Sequence, residues 1–374
     1  MVLEQTSFSI RHLWRSMVFC FVTFLVCSNY LVPELVNKRL IEGNALNSGR
    51  YAVTFPALDW IGEQEGDAIV AIGNSVLQYA TDGACIGERL EDDDVTVYNL
   101  AISGANPYTE MVQVPALIKA RPKMVLVDLG PNSLWPFYAS SSLDDYIQFR
   151  FTILSLTADL QSSEDWGYLL RPQDRPFIAS SVEERLALAS TYSQIAINDA
   201  LHEFLATEFG DVIELSYYDR KMPEVFTESW DAYLQTPKFM PPKFETWNQS
   251  DVVAWFEENM ESRARLGGYN PHPNGTLNHQ ALEYIIRSLT DAGIRVVMVA
   301  PPHHPLAYGY LQPGQIDGHN ATLSYFEATY GARSINWFWE TWDQQMFRDR
   351  NHLGDQGRVY FCERIADELN KIGA

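Results

Sequence analysis

The sequence predicts an α/β protein built on a parallel sheet, and three observations carry that expectation. Apolar runs rich in β-branched residues, at 68–72, 95–101, 124–129 and 295–300, have the length and composition of buried strands. Helical stretches alternate with these runs, so successive strands need crossover connections and pair in parallel. The first three runs also end in Gly/Asn/Ser turns: Gly73-Asn74-Ser75, Ile102-Ser103-Gly104-Ala105-Asn106-Pro107 and Gly130-Pro131-Asn132. A parallel sheet brings all three turns to its carboxyl edge, where open α/β sheets place their ligands.

Composition narrows the class. A chain of 374 residues with 46% apolar and 20% charged residues is globular and long enough for one large domain or two ordinary ones. Its formal net charge of −21 leaves no basic stripe to neutralise phosphates, which argues against nucleic acid as a partner and against docking of the folded domain on anionic lipid, so no nucleic acid is expected.

In chain order, residues 1–12 are expected to be a cytoplasmic N-terminus, and 13–33 a transmembrane anchor or signal sequence. Met17 to Pro33 carries no charge, and Arg11 and Arg15 precede it, which sends the following chain across the membrane. An uncleaved anchor is favoured, although Val26-Cys27-Ser28 offers small residues for cleavage and the apolar core is as short as a signal peptide's. Residues 34–66, with Gly43, Asn47, Gly49, Pro56 and Gly62 and no sustained period, read as a linker to a domain over 67–374.

Within that domain, 76–90 reads as a helix weakened by Asp82-Gly83, Asp92-Asp93-Asp94 as a solvated turn, and 109–120 as a helix. From about 135 to 269 the pattern loosens into an insertion expected to fold over the sheet edge, with a long helix from Val182 to Phe209. Its aromatic residues, among them Tyr217, Trp230, Phe244, Trp247, Trp255 and Phe256, are expected to pack a small core of the insertion's own. The alternative is a stacking face for a sugar or an acyl chain. A helix at 276–292 stops at Gly293, a fifth strand covers 334–336, and a C-terminal helix runs from Asp355 to about Leu369. His303 and His304, with His272 and His279, lack the spacing and the cysteine or carboxylate companions of a metal site, so no metal is expected.

Asp349 and His352 stand three apart just before the last helix. On a tight turn that spacing lets the carboxylate reach the imidazole Nδ1–H and leave Nε2 as a base. Taken alone, such a pair is an ordinary surface feature, and Ser75 alone is an ordinary helix N-cap. Together with the three turns they resemble the SGNH (GDSL-like) hydrolase family. Its four blocks fall in order on Gly73-Asn74-Ser75, Gly104, Gly130-Pro131-Asn132 and Asp349-Arg350-Asn351-His352. The resemblance covers about 67–135 and 276–370, and Asn74 stands where the commoner family form has Asp.

That resemblance implies a three-layer α/β/α sandwich with a flavodoxin-like sheet in the order 2-1-3-4-5. It implies Ser75 as nucleophile, His352 as base, Asp349 as its orienting acid, and an oxyanion hole from Ser75, Gly104 and Asn132, with no cofactor. The expected activity is that of an exported or membrane-anchored serine esterase on an O-acyl ester, such as acetyl on a cell-surface or extracellular carbohydrate. An O-acyltransferase on an envelope polymer, a lipase or thioesterase, and a binding or scaffolding protein on a degenerate hydrolase fold are the alternatives. In the implied strand order the helices carrying Cys85 and Cys362 are neighbours. A disulfide is then open to them, but two buried free thiols are the favoured expectation.

Overall fold

A computed structural model of the chain describes residues 10–27, 49–130, 147–148, 150–152, 154–155, 163–178, 230–237, 243–264, 276–311 and 314–374. Strands β1 (Asp67–Ile72), β2 (Val95–Asn99), β3 (Met124–Asp128), β4 (Arg295–Ala300) and β5 (Arg333–Asn336) form one sheet in the order β2-β1-β3-β4-β5. Every pairing is parallel. The chain's α-helices include α1 (Ile10–Val26), α2 (Gly49–Glu63), α3 (Ser75–Ala80), α4 (Gly83–Gly87), α5 (Pro107–Glu110), α6 (Val114–Ala120), α7 (Ser163–Trp166), α8 (Trp230–Gln235), α9 (Gln249–Ala264), α10 (Leu277–Asp291), α11 (Gln315–Tyr330) and α12 (Asp355–Lys371).

Alternation along β1 sorts the layers. Val70 and Ile72 point to one face, into a core with Leu58 of α2, Leu117 of α6, Ile285 of α10 and Phe326 of α11. Ile69 and Ala71 point to the other, against Leu77 of α3, Ile86 of α4 and Phe361 of α12. A strand buried on both faces has no polar side to show, which is why β1 reads as a continuous apolar run.

Several expectations need correction. The segment assigned to a linker contains α2, whose Phe55, Leu58 and Ile61 are buried at helical spacing in the core; Pro56 and the nearby glycines obscured that period. The helix expected at 76–90 is two helices. Asp82 breaks it by accepting the Cys85 N–H at 3.0 Å, and Gly83 passes so close to β2 that a Cβ there would lie 2.1 Å from the Val97 carbonyl oxygen. The next helix begins at Pro107, two residues early, because Asn106 and Thr109 form a reciprocal capping box. Helix α11 was not anticipated at all. Cys85 and Cys362 are bridged, with Cα atoms 6.2 Å apart, because α4 and α12 pack side by side within bridging reach.

The helix expected at 182–209 lies outside the described residues, as does Tyr217. Phe244, Trp255 and Phe256 do pack on one another, but not as a core of the insertion alone. They also contact His304 and Tyr310 from the loop after β4, and Ala307 is buried among them. Among the described residues no helix is long and apolar enough to cross a membrane; α1 has 17 residues.

Candidate active site

Ser75 is placed by a turn that only glycine can make. Gly73 has φ +146°, and a Cβ on it would lie 2.2 Å from the Asp128 Cβ of β3. Its carbonyl oxygen accepts the Ile102 N–H at 2.7 Å, which ties this turn to the loop after β2. Asn74 then takes an extended conformation and its Oδ1 accepts the Val76 N–H at 2.7 Å. The capping role open to Ser75 therefore belongs to Asn74, and the serine hydroxyl is left for another partner. An aspartate oxygen would cap equally well, so Asn at this position costs the turn nothing.

The partner comes from the far end of the chain. Residues 347–353 form a tight loop closed by an antiparallel bridge between Phe347 and Leu353, both buried, and by the Arg348 N–H donating to the His352 carbonyl at 3.0 Å. Inside it, Asp349 Oδ1 accepts the backbone N–H groups of Asn351 (3.0 Å) and His352 (2.9 Å). His352 Nδ1 lies 2.9 and 2.8 Å from the two carboxylate oxygens of Asp349. A carboxylate only accepts, so the imidazole proton sits on Nδ1 and Nε2 is an acceptor. Ser75 Oγ is 2.8 Å from that Nε2 and donates to it. Tyr79 packs edge-on against the imidazole at 4.7 Å between ring centres.

Burial alone would raise the Asp349 carboxyl. The hydrogen bond and attraction from His352, with the N–H groups of Asn351 and His352, outweigh it and hold the carboxyl well below the ordinary carboxylate range. The acid of this trio is thus ionised throughout the neutral range.

Gly104 lies in the turn after β2, at φ +68°, in the left-handed region that glycine enters freely. Ala105 N–H closes this turn onto the Ile102 carbonyl at 3.0 Å, and Ser103 Oγ donates to Gln78 Oε1 at 2.6 Å. Neither the Ser75 N–H nor the Gly104 N–H bonds to a described residue. After β3, the Gly130 N–H donates to Asp128 Oδ1 at 3.0 Å, and His319 Nε2 donates to the Leu129 carbonyl at 2.7 Å. Asn132 lies outside the described residues.

The structure thus brings Ser75, His352 and Asp349 into one hydrogen-bonded chain and sets Gly104 in the loop tied to the Ser75 turn. Sequence reasoning missed Gln78 and Tyr79, although three and four residues after Ser75 on one helix is a readable signal. It also missed Glu110, Asp128 and Arg150. Nothing in the local pattern of 147–155 marks Arg150, whose partners lie 46 and 47 residues away. His303 and His304 are buried beside the site; burial, aided for His303 by Arg350 and His352, lowers their imidazoles to about 3 and about 4. Among the described residues no cluster of His, Cys, Asp or Glu could hold a metal ion. No protein-family model matches the chain, and no curated protein matches it.

Proposed function

We propose that this chain is a serine esterase of the SGNH (GDSL-like) type, exported and acting on an O-acyl ester such as an acetylated carbohydrate. The observation that carries this reading is the Ser75–His352–Asp349 chain of hydrogen bonds at the carboxyl edge of the parallel sheet, with contacts of 2.8–2.9 Å.

The chemistry follows from the geometry. His352 Nε2 takes the Ser75 hydroxyl proton as Oγ attacks the ester carbonyl carbon. The ionised Asp349 stabilises the imidazolium. The Ser75 and Gly104 N–H groups are the donors for the tetrahedral oxyanion, with the Asn132 amide as a third in the family pattern. Collapse breaks the carbon–oxygen bond to the alcohol, which leaves with the proton from His352. Water then attacks the acyl-serine, gives its proton to His352, and releases the carboxylic acid as the proton returns to Ser75 Oγ.

Two features support an exported placement. The Cys85–Cys362 disulfide belongs to an oxidising compartment. Helix α1 carries exposed Met17, Val18, Phe19, Phe21 and Phe24 behind Arg11 and Arg15, as an anchor or a signal sequence would.

The test is labelling with a fluorophosphonate probe, in which serine displaces fluoride from phosphorus, followed by an ester panel of increasing acyl length. Stoichiometric labelling at Ser75, lost in Ser75→Ala, is the expected result. An unlabelled, folded protein without esterase activity would overturn the reading.

A further inference from the structure

Behind the Ser103–Gly104 turn lies a buried arginine that the Ser–His–Asp chemistry does not use. Arg150 is 1% exposed and sits in helical backbone within the segment from 147 to 155. Its guanidinium donates to the Gly104 carbonyl through Nη1 and to the Ser103 carbonyl, at 3.4 Å, through Nη2. Glu110, also buried, lies close enough for the guanidinium to pull on its carboxyl.

The direction of this grip matters. The peptide joining Ser103 to Gly104 is trans, so its C=O and N–H point to opposite sides of one plane. Holding the Ser103 oxygen toward a buried guanidinium turns the Gly104 N–H the other way, away from the interior. Gly104 itself is exposed while Ser103 is buried, which fits that orientation. A cation on the carbonyl also polarises the same peptide, which strengthens its N–H as a donor. The front of the turn is anchored separately, by Ile102 N–H on Gly73 O and Ser103 Oγ on Gln78.

We infer that Arg150 is a positioning residue that aims and polarises the Gly104 N–H for the oxyanion, so that a residue from within the 135–269 stretch acts on the site from behind the turn. This rests on the esterase reading above.

The experiment measures fluorophosphonate labelling rates and ester kinetics for the wild type, Arg150→Ala and Arg150→Lys, with a thermal melt of each. Displacing a donor by about 1 Å costs on the order of 10²-fold and deleting one about 10²–10³-fold, so a fall of about 10–100-fold in labelling rate and kcat is expected. KM should stay within about twofold, and the pH profile should keep its shape because His352 and Asp349 are untouched. Methylguanidine should restore part of the rate in Arg150→Ala. Lysine, a point charge unable to span both carbonyls, should leave an intermediate defect, and it decides the matter if the alanine variant does not fold. A folded variant that labels at the wild-type rate overturns the positioning role and leaves the esterase standing. A slow variant that methylguanidine does not rescue, with KM and kcat both disturbed, overturns it as well. A wild type that does not label at Ser75 overturns both.

Discussion

Gly73 and Asp128 are in such close contact that a methyl group on Gly73 would lie 2.2 Å from the Asp128 Cβ. The approach of β1 to β3 at this point places Ser75 at the sheet edge, and Gly73 also holds φ +146°. Gly73→Ala is therefore expected to cost about 2–5 kcal/mol through overpacking and backbone strain, and to slow Ser75 labelling even where folded protein is recovered. Urea titration and probe kinetics on the same samples check both halves.

Asp349→Asn should separate orientation from folding. The amide can still accept a hydrogen bond but presents an NH₂ that disfavours the Nδ1–H tautomer, so kcat should fall by about 10³–10⁴ while the protein remains folded. Esterase assays with a circular dichroism control read the outcome. A variant within tenfold of wild type would mean that Asp349 does not orient the base.

The buried imidazoles fix the sign of the acid response. His303 and His304 titrate near 6.5 when unfolded and at about 3 and about 4 when folded, so between those values the unfolded chain binds more protons. Their contribution to stability is complete above pH 6.5 and is lost as pH falls toward 4, with a slope of about 1.4 kcal/mol per pH unit for each histidine. His304→Gln should flatten that limb in urea melts from pH 7 to 4.

Glu110 works in the opposite sense. Burial, then Asp128, raise its carboxyl to about 8 against the pull of Arg150, so the folded form keeps a proton that the unfolded form has lost above the ordinary value of 4.5. Stability from this group is present below about 4.5 and is lost as pH rises through 8. Glu110→Gln should accordingly gain stability relative to wild type at pH 8 more than at pH 5. An equal effect at both would rule out a protonated buried carboxyl.

Reduction of Cys85–Cys362, or Cys362→Ser, should lower stability by about 2–5 kcal/mol, as loss of a bridge spanning 277 residues does. Melting with and without reductant, with alkylation and intact mass to count thiols, measures it. Two alkylated thiols before reduction would show that the bridge is absent.

The strands were legible because β1, β3 and β4 are buried on both faces, and such strands are written as unbroken apolar runs. Gly73-Asn74-Ser75 and Asp349-Arg350-Asn351-His352 were legible because each makes its geometry locally, through a glycine turn and through an Asp side chain that bonds the backbone two and three residues on. Helix α2 was hidden by Pro56 among its buried residues. Arg150 was hidden for a different reason: nothing in its neighbourhood shows that its carbonyl partners lie at Ser103 and Gly104. The disulfide turned on the separation of two helix axes, which a strand order implies only coarsely.

The Ser75–His352 contact and the Cys85–Cys362 bridge each join residues 277 positions apart. A chain emerging from the N-terminal side would thus expose its serine long before the imidazole that accepts its hydrogen bond has been made. The hydroxyl lacks that partner until the 347–353 loop and α12 dock, and the same docking brings the second thiol to the first. Oxidation of this pair is in effect a timestamp on the maturation of the site, and thiol trapping of a nascent or truncated chain would read when it was set.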